Sequence, residues 1–427
     1  MRDGLLRATW RVGRVAVAVV VPGAGYLFVA CGGGSGSSGA GGSDASQGSD
    51  QGSEGAVVDA GGPETGDSSV PHDASHAEGG DAEGAVDGGE AGDAGGDSGL
   101  DFDAGDCGLG SRGEPLDLSC TGLYSDWSSK TVSTGVQPYD PGLHLWSDGA
   151  GKSRWIYLPA GTQIDTSDMD EWTFPVGTKI WKEFSLPIGD ASTTTRIETR
   201  LLWKWTSTSW YRTTYRWSDD GQSSAVELTS GQMDAGGTGF EIPTQFQCNE
   251  CHNGRMDGVL GFEAVSLSSP GASGMTIQTL KTQGLLTAPP AAPYVIPGDA
   301  TETAALGWLH TNCGISCHNS GNGQAVGTNF WMRLDVATLA SVQSTNTYTT
   351  GWNQQTQAFQ IPGAATTYRL HACDSTTSCA YYRADHRDGV AGTPGGTQMP
   401  PLATHLVDTA DMAALKAWID EGCDGGM

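Results

Sequence analysis

The sequence predicts a multi-domain β + α protein: an antiparallel β-sandwich followed by a mainly α-helical region, both placed after a disordered linker. Three observations carry that expectation. Nine of the 14 tryptophans fall between 107 and 245, where apolar and charged residues alternate with period two. Residues 409–421 instead set Met412, Leu415, Trp418 and Ile419 on one helical face, with Gly422 as a stop. Residues 32–106 show neither period.

That linker holds 17 acidic side chains, 23 glycines and no Lys or Arg. Gly, Ser, Ala, Asp and Glu bury too little apolar surface to offset ordering entropy, so 31–106 reads as a disordered tether. As a flexible coil it spans roughly 50 Å r.m.s., and like-charge repulsion stretches it further. From Cys107 onward the chain still carries 31 acidic against 18 basic residues. No Lys/Arg field is available to neutralise phosphates, which argues against a nucleic-acid partner. Docking on anionic lipid through a basic face is disfavoured for the same reason. No run after residue 30 reaches the roughly 18 apolar residues of a membrane-spanning helix.

The first 30 residues read as an export signal. Arg2, Arg7, Arg11 and Arg14 form a basic start, and 15–30 is apolar but for Pro22-Gly23. The stretch ends Leu27-Phe28-Val29-Ala30-Cys31, which resembles a bacterial lipoprotein box with Cys31 as the lipidated residue. Several acyl chains on one residue anchor stably where a single chain is marginal. Gly32 rather than Asp after Cys31 implies the outer membrane, with the body periplasmic or at the cell surface.

Within 107–245, Ile197, Leu201, Trp203 and Trp205 share one face, and Arg196, Glu198, Arg200 and Lys204 share the other. The pattern resumes after a polar turn at 206–209, with Tyr211, Tyr215 and Trp217 opposite Arg212 and Arg216. Two half-buried strands joined by a turn follow from this. Further short strands are expected over 153–158, 172–177 and 179–184, each bounded by Pro/Gly punctuation. The aromatic density raises the possibility of a carbohydrate-binding surface, although Trp and Tyr more often fill a sandwich core.

The chemistry begins at Cys248-Asn-Glu-Cys251-His252. Two thiols three positions apart with His next is the attachment pattern of c-type haem: each Cys forms a thioether, and the His ligates iron. At this composition chance gives roughly 0.005 such motifs per chain. A second, Cys313-Gly-Ile-Ser-Cys317-His318, is one residue longer. Zinc uses thiol pairs without needing a His after each, disulfides leave the His unexplained, and a redox Cys-x-x-Cys wants a βαβ context. Two covalent haem c groups are therefore expected, one in a segment over 246–295 and one in 296–427.

Around the second motif, Asp299-Ala-Thr-Glu302 is set to cap a helix through Leu306, Trp308 and Leu309 into Cys313. Beyond it come Gln398-Met399-Pro400-Pro401-Leu402 and the 409–421 helix. This order resembles a class I cytochrome c over 296–427, and the resemblance implies Met399 as the sixth ligand of the second haem. His/Met ligation closes the iron and suits electron transfer. For the first haem, His310 and Met275 are the candidate sixth ligands; Met256 is too close to His252 to reach the opposite face easily. Leu145-Trp-Ser-Asp-Gly149, Arg154-Trp-Ile-Tyr-Leu-Pro159, Phe174-Pro-Val-Gly177, Glu198-Thr-Arg-Leu-Leu202, Ile242-Pro-Thr-Gln245 and Leu309-His-Thr-Asn-Cys313 together resemble a family of secreted bacterial haem-c proteins over most of 140–427. Some members are fused to sugar-dehydrogenase-like domains, which implies a redox partner protein.

Cys107, Cys120, Cys373, Cys379 and Cys423 remain. Local pairing favours Cys107–Cys120 and Cys373–Cys379, with Cys423 left over. The function expected is a membrane-anchored dihaem electron carrier with no catalytic residue of its own. Its rivals are a haem enzyme, either a peroxidase or the acceptor subunit of a dehydrogenase, and a carbohydrate-binding surface lipoprotein.

Overall fold

β-branched and aromatic side chains alternating over 179–217 build the centre of an antiparallel sheet. In the computed structural model, which describes residues 107–188, 193–356, 359–388 and 397–423, short strands β1 (Tyr124–Asp126) and β2 (Thr131–Val132) pair with each other. A seven-stranded sheet follows, from β3 (Val136–Asp140), β4 (Gly151–Tyr157), β5 (Lys179–Pro187), β6 (Thr194–Lys204), β7 (Trp210–Trp217) and β8 (Ala225–Glu227). Its last member, β9 (Ser273–Gly274), arrives after the first Cys–His motif and pairs with β3, giving the order β8-β7-β6-β5-β4-β3-β9. The expected signal, Cys31 and tether lie outside the described residues.

The 153–158 and 179–184 strands are present, the latter longer than expected. Residues 172–177 are not a strand: only an isolated bridge joins Thr173 to Asp165, and the Phe174 N–H donates to the Asp257 carboxylate at 2.6 Å. A larger departure concerns the sheet's faces. One face carries Val136, Tyr157, Trp181, Leu201, Tyr215 and Trp217, covered by Leu118, Leu123 and Tyr124. The other is not solvent, as half-buried strands would have it: Glu198 and Lys204 are fully buried there. What covers it is chain from beyond Gln245 rather than a second large sheet. Val259, Phe262, Leu267, Ile277 and Leu280 pack on Ile156, Ile180 and Leu202, each such side chain contributing roughly 1.5–3 kcal/mol by burial. The layer expected to complete a sandwich is thus irregular and helical.

β6 also swaps faces within itself. Its register against β5 skips Ile197, so Phe184 pairs with Glu198 but Ser185 with Arg196. This bulge sends Arg196 to Glu183 and the Trp217 ring, while Glu198 turns to Arg200.

Helices α1 (Cys248–His252), α2 (Ala264–Ser268) and α3 (Ile277–Thr282) are short, with α1 formed by the first motif itself. α4 (Ala300–Leu309) starts at the expected capping box: Asp299 accepts from the Thr301 and Glu302 N–H groups, and Glu302 accepts from that of Asp299 at 2.9 Å. One π-helical stretch, His310–Gly314, then carries the chain through Cys313. α5 (Asn346–Gly351) and α6 (Cys379–Ala384) precede α7 (Thr409–Glu421), whose Met412, Leu415, Trp418 and Ile419 pack on Leu306, Trp308 and Leu309 of α4. Long irregular segments separate these helices, so 296–423 is a helix-containing region and not a mainly helical one.

Cys107 pairs with Cys120 as expected, with Cα atoms 6.0 Å apart. Cys373 is also at disulfide distance from Cys423, with Cα atoms 4.6 Å apart, so Cys423 is not left over. The end of α7 returns beside residue 373, where the Cys373 N–H donates to the Ile419 carbonyl, and Cys379 begins α6 in the helical core.

Candidate functional site

Although 61 residues intervene between Cys251 and Cys313, both motifs open into one cleft of about 1570 Å³, counting its open mouth. Cys248, Cys251, His252, Cys313, Cys317, His318 and Met399 all line it.

The motifs abut through backbone. Gly254 lies so close to Ser316 that a Cβ would overlap the Ser316 carbonyl. Asn319 Nδ2 donates to the carbonyls of Gly254, Gly314 and Ile315 at 3.1–3.2 Å, and its Oδ1 accepts from Gly321 and Gly323. Gln324 donates to the Glu250 carbonyl at 3.0 Å. The sequence marks none of these as a junction, because each is a loop residue whose partner is distant.

Each motif imidazole is held in the same way. His252 Nδ1 donates to the Gly258 carbonyl at 2.6 Å and His318 Nδ1 to the Phe330 carbonyl at 3.0 Å. Such bonds fix the tautomer and leave Nε2 as the nitrogen with a lone pair to offer. Burial pushes His252 down to about 3, helped by Arg212, and His318 down to about 4, so both rings are neutral at physiological pH. Burial has the opposite effect on the thiols: Cys251 and Cys313 are pushed up to about 12, and Cys248 and Cys317 are also raised. All four are unpaired, protonated thiols, unlike the low-pKa sulfur of a redox dithiol. Among the described residues, no group of three or more His, Cys, Asp or Glu side chains is placed to hold a metal ion directly. A haem c fits this donor set: two thiols and one Nε2 per motif, on a shared cleft wall.

The Met399 loop is braced from both sides. Met399 N–H donates to the Arg383 carbonyl at 2.8 Å, the Met399–Pro400 peptide is cis, and Gln398 donates to the Thr404 carbonyl at 2.8 Å. From the β-rich part, Asp148 accepts the His405 and Leu406 N–H groups at 2.8 and 3.0 Å. Trp146 donates its indole N–H to the Leu406 carbonyl at 2.8 Å and its backbone N–H to Asn312 Oδ1 at 2.7 Å. The 145–149 segment therefore ties the Met loop to the second motif.

The two candidate ligands for the first motif lie elsewhere. Met275 is in the core under the sheet with Tyr139 and Phe262. His310 is 1 % exposed and faces inward, its Nδ1 accepting the Leu334 N–H at 2.9 Å and its Nε2 lying 3.5 Å from Glu263. Neither lines the cleft: Met275 lies under the sheet, and His310 is taken by the Leu334 N–H and Glu263. Met256 is exposed at the surface. What fills that side instead is Lys152, Arg154, Lys182 and Arg200 from the sheet, along with Phe184, Phe240 and Leu260.

A buried knot fixes the first motif to the sheet. Asp257 accepts from Lys204 Nζ at 2.5 and 2.6 Å, from Trp210 Nε1 at 3.0 Å and from the Phe174 N–H at 2.6 Å. No family model, curated protein or solved structure matches this chain.

Proposed function

We propose that the protein is a c-type cytochrome with two covalently attached haems, carrying electrons between redox partner proteins while anchored through lipid at Cys31 to the outer membrane. The observation that supports this most is the convergence of two Cys–His motifs on one cleft, each imidazole offering Nε2 while a backbone carbonyl holds its Nδ1. Cys248 and Cys251 would hold the first haem and Cys313 and Cys317 the second, with His252 and His318 as proximal ligands and Met399 distal on the second. The finer architecture of 296–427, a class I cytochrome c-like arrangement of α4, Met loop and α7, belongs to the same proposal.

Bound there, haem supplies a one-electron centre. The chain's own part is to orient and to exclude water. Gly258 and Phe330 hold the imidazoles, Asp148 and Gln398 hold the Met399 loop, and Phe240, Pro243, Leu260, Met332 and Pro401 make the walls apolar.

A haem enzyme is the second reading, favoured by the absence of Met275 and His310 from the cleft. A high-spin band with peroxide turnover would support it, and an all-low-spin spectrum would sink it. The test of the main proposal is a pyridine haemochrome assay on protein matured in a periplasm competent for c-haem attachment. Two haems per chain are expected. One haem would limit the reading to a single motif, which Cys251→Ala would identify, and none would overturn it.

A further inference from the structure

Three adjacent strands set cations opposite one another on the face that walls the cleft. Arg154 on β4 is in register with Lys182 on β5, and Lys182 with Arg200 on β6. Lys152 stands two residues before Arg154, on the same face of β4. All four line the cleft. Like charges at directly opposed positions destabilise a sheet, and a low local dielectric deepens the repulsion.

The wall's own acids answer only half of this charge. Asp140 takes Arg154 at 2.6 Å, and Glu198 takes Arg200 at 2.6 Å. Lys152 Nζ donates to the Leu145 carbonyl, a neutral acceptor, and Lys182, in the middle of the row, makes no hydrogen bond or ion pair among the described residues. Glu250, also on the cleft, is taken up by Gln324. Two of the four basic groups are thus left without an anion in a chain whose net charge is −27, and burial beside the other cations lowers both, Lys152 well below the ordinary lysine range and Lys182 to about 7. The row stands beside the first motif, lining the same cleft as Cys248, Cys251 and His252. A dianion seated here would remove the repulsion.

We propose that Lys152, Arg154, Lys182 and Arg200 bind the two propionate carboxylates of the porphyrin held by Cys248 and Cys251. This rests on the haem reading above. Thioethers fix one edge of the porphyrin to α1, and the strand-borne cations receive the carboxylates, making the sheet a part of the first haem site rather than a neighbouring module.

The test uses Lys182→Met, which removes the one cation of the row that holds no other group, with Lys182→Arg as the charge-conserving control. In the two-haem protein, Lys182→Met lowers the reduction potential of the first haem and leaves the second in place, because a positive charge that favours the reduced iron is gone; Lys182→Arg restores it. Urea midpoints give an independent sign. In the full protein Lys182→Met lowers the midpoint, whereas in a Cys248→Ala/Cys251→Ala background, which lacks the first haem, it raises the midpoint by relieving unanswered repulsion. A potential unmoved by Lys182→Met, or the same sign of midpoint change in both backgrounds, would overturn the assignment. So would a saturable spectral response of the two-haem protein to nitrite or phosphate, which would make the row a site for an exogenous oxyanion. Failure of the haem reading itself shows in the wild-type haem content, before any Lys182 variant is made.

Discussion

Replacing Asp257 by Ala strikes a point where the loop after the first motif and the sheet share a buried charge. Lys204 Nζ is fully buried and Asp257 nearly so, with 0 % and 9 % of the side chains exposed. The substitution leaves an ammonium without its anion and also orphans the Trp210 and Phe174 N–H groups. Removing one member of a buried pair costs about 3–5 kcal/mol, and each orphaned donor adds about 1–3 kcal/mol before relaxation. Because the three losses share one carboxylate they do not add, and we expect a total of about 4 kcal/mol. That is a large fraction of the roughly 5–15 kcal/mol that holds most domains together. Urea unfolding with linear extrapolation reads it directly. The same loop carries Gly258, whose carbonyl holds His252, so on the proposed dihaem reading absorption from the first haem should change before that from the second. Lys204→Met/Asp257→Leu removes both charges and should recover most of the stability. A loss below about 1 kcal/mol for Asp257→Ala would refute the view that this pair clamps the motif to the sheet.

Two further outcomes follow from the junction and from a buried acid. Gly254→Ala places a methyl group in the Ser316 carbonyl, so the motifs must part; a cost of about 1–3 kcal/mol is expected in urea unfolding, with spectral change at both haems under the proposed function. An unchanged midpoint would mean the two motifs are not in backbone contact. Burial pushes the Asp170 carboxyl up to about 6, with Asp335 adding to the shift. The fold therefore favours its protonated form: that contribution is complete below the ordinary carboxylate range and is lost as pH rises through about 6. Asp170→Asn, which can still accept the Val336 N–H at Oδ1, should gain stability relative to wild type between pH 4 and 7; parallel profiles would count against it.

The parts of this protein set by short-range chemistry are legible in its sequence. Capping at Asp299, the apolar face of α7 and the strands at 151–157, 179–187 and 194–217 depend on residues within a few positions of one another, and the period or the cap announces them. The motif thiols and imidazoles are legible for the same reason. Alternation misleads where both faces of a strand are covered. Glu198, Arg200 and Lys204 have the spacing of a solvent face, yet Glu198–Arg200 and Lys204–Asp257 are internal pairs, and Arg200 also lines the cleft. A charge carries no mark in sequence of whether water or a distant carboxylate will answer it.

The sequence by itself determined which atoms are available: four thiols, two adjacent imidazoles, a methionine beside Pro-Pro, and the strands and helices that local periodicity specifies. Only the tertiary structure decided which of them meet. The bulge at Ile197 turns Arg196 away from Glu198, Glu263 and the Leu334 N–H take His310, and the return of α7 brings Cys423 to Cys373. Each outcome depends on contacts between residues far apart in the chain. Loop closure and packing set such contacts collectively, so no local pattern records them.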